Sequence, residues 1–242
     1  MQRVSPVTGL AGRDIDAVIV DLDGTMVDTL GDFKAALDLM LADLPLARDV
    51  ARSIEPAAVE RFVGKGSEHL VRCVLMHVLR RTGTGATAAT ESLFDEAFSL
   101  YQAHYDAING QHAAVYAGVQ EGLLAMQSAG LALACLTNKP RAFAQALLRL
   151  KGLDGFFPLV FGGDSFEKKK PDPLPLLKAC EALGTTPLRT LMVGDSSNDA
   201  QAARAAGCPV VLVTYGYNHG EPVRGVDADG WIGSLAELRW LP

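Results

Sequence analysis

Two aspartates separated by one residue, Asp21 and Asp23, are the first residues in this chain whose spacing suggests chemistry. They follow the apolar run Ala17–Val20, which is typical of a strand buried on both faces of a parallel sheet. Because side chains alternate along an extended chain, both carboxylates can face the same way. At about 4 Å they would repel each other by roughly 4 kcal/mol at an effective dielectric near 20. The pair therefore needs a cation, a shared proton or both.

Two other motifs share features with this one. A calcium-binding EF-hand loop also starts D-x-D, but its twelfth position is a glutamate, where this chain has Asp32, and a helix precedes it. A simple turn with Asp23-Gly24 at its corner is the second alternative. The position favours a ligand site, because ligands of parallel sheets bind beyond the carboxyl ends of the strands.

A second acidic segment, GDSSND at 194–199, follows another buried apolar run. Ser197 or Asn198 could cap the helix that follows, and capping alone would explain these two residues. Capping does not require acidic residues at both Asp195 and Asp199. A hard cation such as Mg²⁺ prefers carboxylate oxygens and keeps several waters, so one carboxylate from each of two adjacent loops would suit it.

Two further segments supply groups that bind anions. Thr137 and Asn138 close an apolar run and precede Pro140, which suits the first turn of a helix with free N–H groups, so they could donate to phosphate oxygens. A capped helix without a ligand has the same sequence pattern. Lys170 ends a run of three lysines, and the following proline holds its backbone extended. Its ammonium could offset the charge of a phosphorylated aspartate, whereas the other two lysines are expected in solvent.

Taken together, the four segments resemble the motifs of the haloacid dehalogenase superfamily, in its phosphatase branch. VDLDGTMVDT resembles the first motif, LTNK the second, KKPDP the third and GDSSND the fourth, in that order. The resemblance spans residues 16–242. Within the branch, segment 194–223 and the helical insertion after the first motif are similar to bacterial phosphoglycolate phosphatases.

The resemblance implies the catalytic roles. Asp21 would be the nucleophile that forms an aspartyl-phosphate, and Asp23 the general acid that then activates water. The side chain of Asp21, the backbone carbonyl of Asp23 and Asp195 would hold Mg²⁺. Free aspartate has a pKa of about 3.9, so Asp21 needs no base, whereas Asp23 must be protonated when the leaving oxygen departs.

Substrate binding is assigned in the same way. The resemblance implies that Thr137 and Lys170 bind the phosphoryl group, and the position of Asn138 after the same apolar run makes it a further candidate donor. It also implies that Asp199 supports the metal site and Lys170. Lys65 lies in a glycine-flanked loop of the helical insertion, and our hypothesis is that it helps choose the substrate by reaching a substrate carboxylate. An exposed lysine in a flexible turn is the alternative.

The elements that must position these residues predict an α/β fold, with a doubly wound, Rossmann-like parallel sheet and an inserted all-helical cap domain. Helical patterns separate the apolar runs that predict strands, which are 17–20, 131–136, 159–161, 190–193 and 209–213. From Gly31 to Ala114 only amphipathic helical patterns occur, around a flexible loop at 82–90. We expect a loosely held tail at 1–13, a core at 14–30 and 115–242, and the cap at 31–114.

Composition limits the partners. The 242 residues carry a net charge of −6, which argues against nucleic acid or an anionic membrane surface as a partner. No apolar stretch approaches the roughly 20 residues that span a bilayer, and the N-terminus has no secretory signal pattern. The four cysteines are scattered and are expected to be small buried hydrophobes in a reducing, cytoplasmic compartment. A monomer or a homodimer is expected.

The expected function is Mg²⁺-dependent hydrolysis of a small phosphorylated metabolite, with 2-phosphoglycolate, which gives glycolate and phosphate, as the favoured substrate. Three alternatives stay open. The first is a phosphatase for another small sugar or amino-sugar phosphate. The second is a β-phosphoglucomutase-like phosphomutase, whose cap would have to exclude water from the aspartyl-phosphate. The third is a receiver-like signalling module, against which Asp23 argues, because receivers lack an acid two residues after the phosphorylated one.

Overall fold

The computed structural model describes residues 2–5, 10, 14–80 and 85–241. Its centre is a six-stranded sheet in which every neighbouring pair runs parallel. In spatial order the strands are β10 (Gly230–Ile232), β9 (Val210–Val213), β8 (Thr190–Gly194), β3 (Ala17–Val20), β6 (Ala132–Leu136) and β7 (Leu159–Phe161). The strand before the first acidic pair therefore lies inside the sheet, between β8 and β6. This arrangement confirms the predicted doubly wound α/β fold.

Helices cover both faces of this sheet. They are α5 (Val119–Ser128), α6 (Arg141–Leu150), α7 (Leu174–Leu183) and α8 (Ser197–Ala206). In β3, Val18 and Val20 pack with α5 and α6, whereas Ile19 packs with α7 and α8, and all three side chains are fully buried. A strand buried on both faces carries apolar residues at every position, which explains the continuous run in the sequence.

Between the first strand of the sheet and the rest of the core, the chain forms a separate helical unit. Its helices are α1 (Leu30–Asp43), α2 (Pro56–Phe62), α3 (Ser67–Leu79) and α4 (Ala86–Ile108). They bury their apolar faces in a hydrophobic cluster of their own, which only Tyr217 and Phe143 join from the core among the described residues. The predicted helical cap is confirmed, while its limits at 31 and 114 stay a proposal.

A short ribbon that the sequence analysis missed joins the cap to the core. The chain leaves through β4 (Val27–Asp28) and returns through β5 (Ala114–Val115), which pair antiparallel. Strands of two residues are too short to show a period in the sequence. β10 was missed as well, because it has only three residues and begins with glycine.

Two segments that were expected to be loose contain regular structure in part. The predicted flexible loop at 82–90 includes the start of α4 at Ala86, because alanine favours helix and follows Gly85 directly; residues 82–84 lie outside the described residues. In the predicted tail at 1–13, β1 (Gln2–Ser5) pairs antiparallel with β2 (Asp14–Ile15) and β11 (Arg239–Leu241). Its main-chain hydrogen bonds hold that segment against the core.

The remaining expectations from composition concern cysteines and membranes. Cys135, Cys180 and Cys208 are buried and Cys73 is half-buried, and all four thiols are free. Among the described residues, no helix combines the length and the apolar character that crossing a bilayer requires.

Candidate active site

Three adjacent strands end at one side of the sheet, and each is followed at once by a polar residue. Asp21 follows β3, Asp195 follows β8 and Thr137 follows β6. Because these strands pair in parallel, their carboxyl ends meet. All three residues line one cavity that opens partly to solvent. Residues of α1, α3 and α4 form its other wall, so the cavity lies between the core and the cap.

Three buried carboxylates converge in this cavity. Asp21, Asp195 and Asp199 each place an oxygen within 4.8 Å of the other two. At that separation each ionised pair repels by about 3.5 kcal/mol at an effective dielectric near 20. The Lys170 Nζ lies 2.9 Å from Asp21 Oδ1 and 2.7 Å from Asp199 Oδ1. One ammonium cannot balance three carboxylates, so the donor set suits a divalent cation.

The same crowding affects the protonation of the cluster. Burial raises the pKa of Asp21 to about 7, although the Lys170 charge opposes this increase. Burial, together with the charges of Asp199 and Asp21, raises the pKa of Asp195 well above its usual range. Burial alone would lower the pKa of Lys170, but Asp199 and Asp21 outweigh it and raise that pKa, so Lys170 stays charged. Without a cation the cluster is forced toward protonation, which supports the fit to a metal.

Asp199 connects the start of α8 to this cluster. Its Oδ2 accepts hydrogen bonds from the N–H of Asp195 at 3.2 Å, from the N–H of Ser196 at 3.1 Å and from the Ser196 hydroxyl at 2.9 Å. The helix begins after Ser196, so the expected cap at Ser197 or Asn198 was wrong. The other oxygen of Asp199 holds Lys170, and the first turn of α8 thereby fixes the lysine.

Alternation along the strand allows the Asp21 and Asp23 carboxylates to face the same way, but the Asp23 side chain makes contacts of its own. Its Oδ1 accepts hydrogen bonds from the Thr29 hydroxyl and from the Lys139 ammonium, both at 2.8 Å. The cluster of three described above does not include it. The metal contact that the resemblance implies runs through the backbone carbonyl of Asp23, and that contact stays a prediction. The carboxylate lines the cavity.

The Asn138 side chain connects two other segments, those of Gly64 and Lys170, through hydrogen bonds. Its Nδ2 donates to the Gly64 carbonyl at 2.9 Å and to the Lys170 carbonyl at 2.8 Å, and its Oδ1 accepts from the Lys170 N–H at 3.0 Å. Both amide protons are used, so a phosphate contact would have to come from the backbone N–H of Asn138. Thr137 is buried beside it and lines the cavity.

Lys65 is exposed and does not line the cavity, although its neighbours Gly64 and Gly66 do. The loop at 63–66 between α2 and α3, called the cap loop below, contacts the core through its main-chain carbonyl oxygens. Gly64 O accepts from Asn138 and also from Asn198 Nδ2 at 3.0 Å, and His219 Nδ1 lies 2.8 Å from Val63 O. A carbonyl can only accept, so Nδ1 of His219 carries the proton. These hydrogen bonds fix the cap loop against the core.

Sequence reasoning missed Lys139, which is buried beside Asp23. Its Nζ lies 4.4 Å from the Phe33 ring centroid and 4.8 Å from that of Tyr105. The available signal was its place in the same loop as Thr137, directly after a strand end. The aromatic residues gave no such signal, because their helical spacing is that of an ordinary apolar face.

Gly24 and Tyr217 fix the acidic loops against each other. Gly24 has φ +80°, and a Cβ there would lie 2.3 Å from Asp195 Oδ2, so the close approach needs glycine. The Tyr217 N–H donates to the same Asp195 oxygen at 2.7 Å. Its hydroxyl donates to Asp28 Oδ1 at 2.8 Å and accepts from the Thr29 N–H at 2.7 Å. Asp195 is thereby linked to the point where the chain enters the cap.

A parallel α/β sheet that presents clustered carboxylates and a buried lysine beneath a helical cap has the architecture of a capped hydrolase. The sequence model described as haloacid dehalogenase-like hydrolase matches residues 15–207, and the chain belongs to this family. The membership inferred from the four motifs is thus confirmed, and with it the assignment as a hydrolytic enzyme.

Relatives with assigned names cover nearly the whole chain. A protein from Thiobacillus denitrificans named phosphoglycolate phosphatase is 44% identical over 223 residues, which are 92% of this chain and 93% of the relative. One of the same name from Nitrosospira multiformis is 43% identical and covers 94% and 95%. The crystal structure of a predicted phosphoglycolate phosphatase from Haemophilus somnus superposes with a TM-score of 0.84 at 30% identity, covering 92% and 96%.

Proposed function

We propose that this enzyme is a Mg²⁺-dependent phosphomonoester hydrolase that transfers the phosphoryl group of 2-phosphoglycolate first to Asp21 and then to water. One observation carries the proposal: the Asp21 carboxylate lies within 4.8 Å of Asp195 and Asp199 and 2.9 Å from the Lys170 ammonium. A carboxylate can attack an anionic phosphate only where positive charge is concentrated around it. The names of the relatives support 2-phosphoglycolate as the substrate.

The metal site would be formed by Asp21, Asp195 and the backbone carbonyl of Asp23, with Asp199 in support. Asp21, Asp195, Asp199 and Lys170 together have a formal charge of two negative, which one divalent cation balances. Mg²⁺ fits this donor set, because it is usually bound through one or two carboxylates and keeps several waters. When bound, it would neutralise charge on the phosphoryl oxygens.

The residues of the chain would then divide the reaction into two steps. The Asp21 oxygen attacks phosphorus while the bond between phosphorus and the ester oxygen breaks, and Asp23 gives its proton to that oxygen. Asp23, now ionised, takes a proton from water, whose oxygen attacks phosphorus. The bond between Asp21 and phosphorus breaks, and phosphate leaves. Thr137 and Lys170 would hold the phosphoryl oxygens in both steps.

The cap would cover the reacting groups during the first step. The hydrogen bonds from Asn138 and Asn198 to Gly64, and from His219 to Val63, support a closed position of this loop. Closure would exclude bulk water and strengthen the electrostatic interactions inside. Cytoplasmic location and a monomeric or homodimeric state stay predictions from the sequence.

A substrate screen tests the proposal. We expect Mg²⁺-dependent phosphate release to be most efficient with 2-phosphoglycolate among small sugar, amino-sugar and carboxylic acid phosphates. Chelation of the cation or Asp21→Asn should abolish it. An isomerised sugar phosphate without free phosphate would indicate a mutase, and a stable phosphoprotein would indicate a receiver. Unchanged turnover by the Asp21→Asn variant would overturn the proposed nucleophile.

A further inference from the structure

We propose that Lys139 and Tyr105 form a subsite for a carboxylate on the substrate, next to the oxygen that leaves with it. The inference rests on the proposed function, which it narrows to short phosphorylated carboxylic acids. It also replaces the hypothesis that Lys65 selects the substrate. Lys65 is exposed, whereas Lys139 and Tyr105 lie inside the cavity.

Lys139 is the cation in the cavity whose N–H donors are not all bound by oxygen acceptors of the described residues. Of the lysine and arginine side chains that line the cavity among the described residues, Lys170 is already bound by Asp21, Asp199 and the Leu136 carbonyl. Lys139 contacts one acceptor within the described part of the chain, Asp23. An ammonium group has three N–H donors, and its other contacts in the described residues are the ring faces of Phe33 and Tyr105, which are weaker acceptors than a carboxylate. The Lys139 side chain is only 2% exposed, which makes an additional acceptor valuable.

Tyr105 supplies a second donor to the same cavity. Its ring centroid lies 4.8 Å from the Lys139 Nζ, and the side chain lines the cavity with 1% exposure. Its hydroxyl has no hydrogen-bond partner among the described residues. A buried hydroxyl without a partner costs free energy, which a ligand that accepts its hydrogen bond would recover. Burial and the charge of Asp23 raise the pKa of Tyr105 well above its usual range, so the hydroxyl keeps its proton.

The position of the pair sets the size of the ligand. Asp23 is the proposed acid for the ester oxygen, and its Oδ1 lies 2.8 Å from the Lys139 Nζ. A group held by Lys139 is therefore close to the ester oxygen, separated from it by one or two carbon atoms. An ammonium and a phenol that both donate suit a carboxylate better than a hydroxyl or an amine. The combination selects a carboxylate near the ester oxygen, as in 2-phosphoglycolate.

A pair of uncleavable ligands tests this subsite without turnover. 3-Phosphonopropionate has the length of 2-phosphoglycolate and keeps the carboxylate, whereas propylphosphonate ends in a methyl group. Calorimetry in Mg²⁺ would give both Kd values for the wild type and for Lys139→Met, Tyr105→Phe and Lys65→Met. We expect the wild type to bind the carboxylate ligand at least about tenfold more tightly, as for one charge-assisted hydrogen bond. Lys139→Met should remove most of this preference, Tyr105→Phe part of it, and Lys65→Met none.

Two results would overturn the subsite: a wild type that does not prefer the carboxylate ligand, or a preference that survives in both Lys139→Met and Tyr105→Phe. Tyr105→Phe keeps the ring that packs against Phe33 and Phe143, so it decides the matter if Lys139→Met fails to fold. Mg²⁺-dependent phosphate release from 2-phosphoglycolate by the wild type reports on the proposed function separately. Absence of that release with the ligand preference intact would refute the hydrolase and leave the subsite standing.

Discussion

Replacing Asp195 by asparagine should stabilise the metal-free enzyme and remove most of its stabilisation by Mg²⁺. Asp195 has two ionisable neighbours within 4.8 Å, Asp21 and Asp199. Each fully ionised pair costs about 3.5 kcal/mol at a dielectric near 20, or about 7 kcal/mol for both. Lys170 and the raised pKa of Asp195 relieve part of this repulsion. We expect a net gain of about 2 kcal/mol near neutral pH, which corresponds to about 4–8 °C in Tm for a chain of this size.

Asparagine preserves the shape of the site, so the substitution isolates the charge. Its side-chain oxygen can still accept the hydrogen bond from the Tyr217 N–H, which is 2.7 Å in length. Mg²⁺ at one hundred times its Kd should stabilise the wild type by about 2.7 kcal/mol. The variant has lost one anionic ligand and should gain much less at the same concentration.

The pH dependence has a defined sign. Burial raises the pKa of Asp21 from 3.8 to about 7, so metal-free stability is highest below pH 4 as far as this group is concerned, and it is lost as the pH rises toward 7. Asp195 acts in the same direction, because its pKa is raised as well. The decrease should be shallower in Asp195→Asn and in wild type saturated with Mg²⁺.

Thermal unfolding followed by circular dichroism, with chelator and with Mg²⁺, measures these quantities. Asp106→Asn is the matched control, because it removes the same charge from an exposed position in α4 and should change neither Tm. If metal-free Asp195→Asn were no more stable than the wild type and Mg²⁺ stabilised both equally, the three carboxylates would not share a cation, and the reasoning would be refuted.

Further substitutions test the groups around the cluster. Lys170→Met leaves Asp21 and Asp199 without their buried partner, so urea unfolding of the metal-free protein should show a loss of about 3–5 kcal/mol; a loss below 1 kcal/mol would contradict the charge balance. Asn198→Ala removes one of two donors to the Gly64 carbonyl, worth about 1 kcal/mol in cap closure, so steady-state kinetics should show a KM raised about fivefold. An unchanged KM would mean that this contact does not hold the cap.

The sequence could predict what depends on neighbours along the chain. Asp21 and Asp195 stand directly after apolar runs, and parallel sheets bring the ends of such strands together. The side chain of Asp23 could not be oriented in this way, because its partner Lys139 lies 116 positions away. The pairing of Lys139 with the Phe33 and Tyr105 rings likewise depends on how the cap helices pack on the core.

Two further differences concern the N-cap of α8 and the loop that contains Lys65. The N-cap of α8 falls on Ser196, one residue before Ser197 and two before Asn198, because several residues of this segment can cap a helix. Lys65 was proposed as a specificity residue because glycines flank it. In the structure the Gly64 carbonyl of that loop accepts hydrogen bonds from the core, and the Lys65 side chain is exposed. Loop conformation decides which side of a residue faces a cavity, and that conformation depends on tertiary contacts.

The most direct measurement of the central claim is the intact mass of the Asp23→Asn variant, quenched in acid during turnover of p-nitrophenyl phosphate with Mg²⁺. p-Nitrophenolate departs without a proton, so attack by Asp21 should persist, whereas hydrolysis of the aspartyl-phosphate needs a base and should be slow. We predict a mass increase of one phosphoryl group that maps to the peptide containing Asp21. Turnover with unmodified protein at every time point, or a phosphoryl group on another residue, would contradict the account.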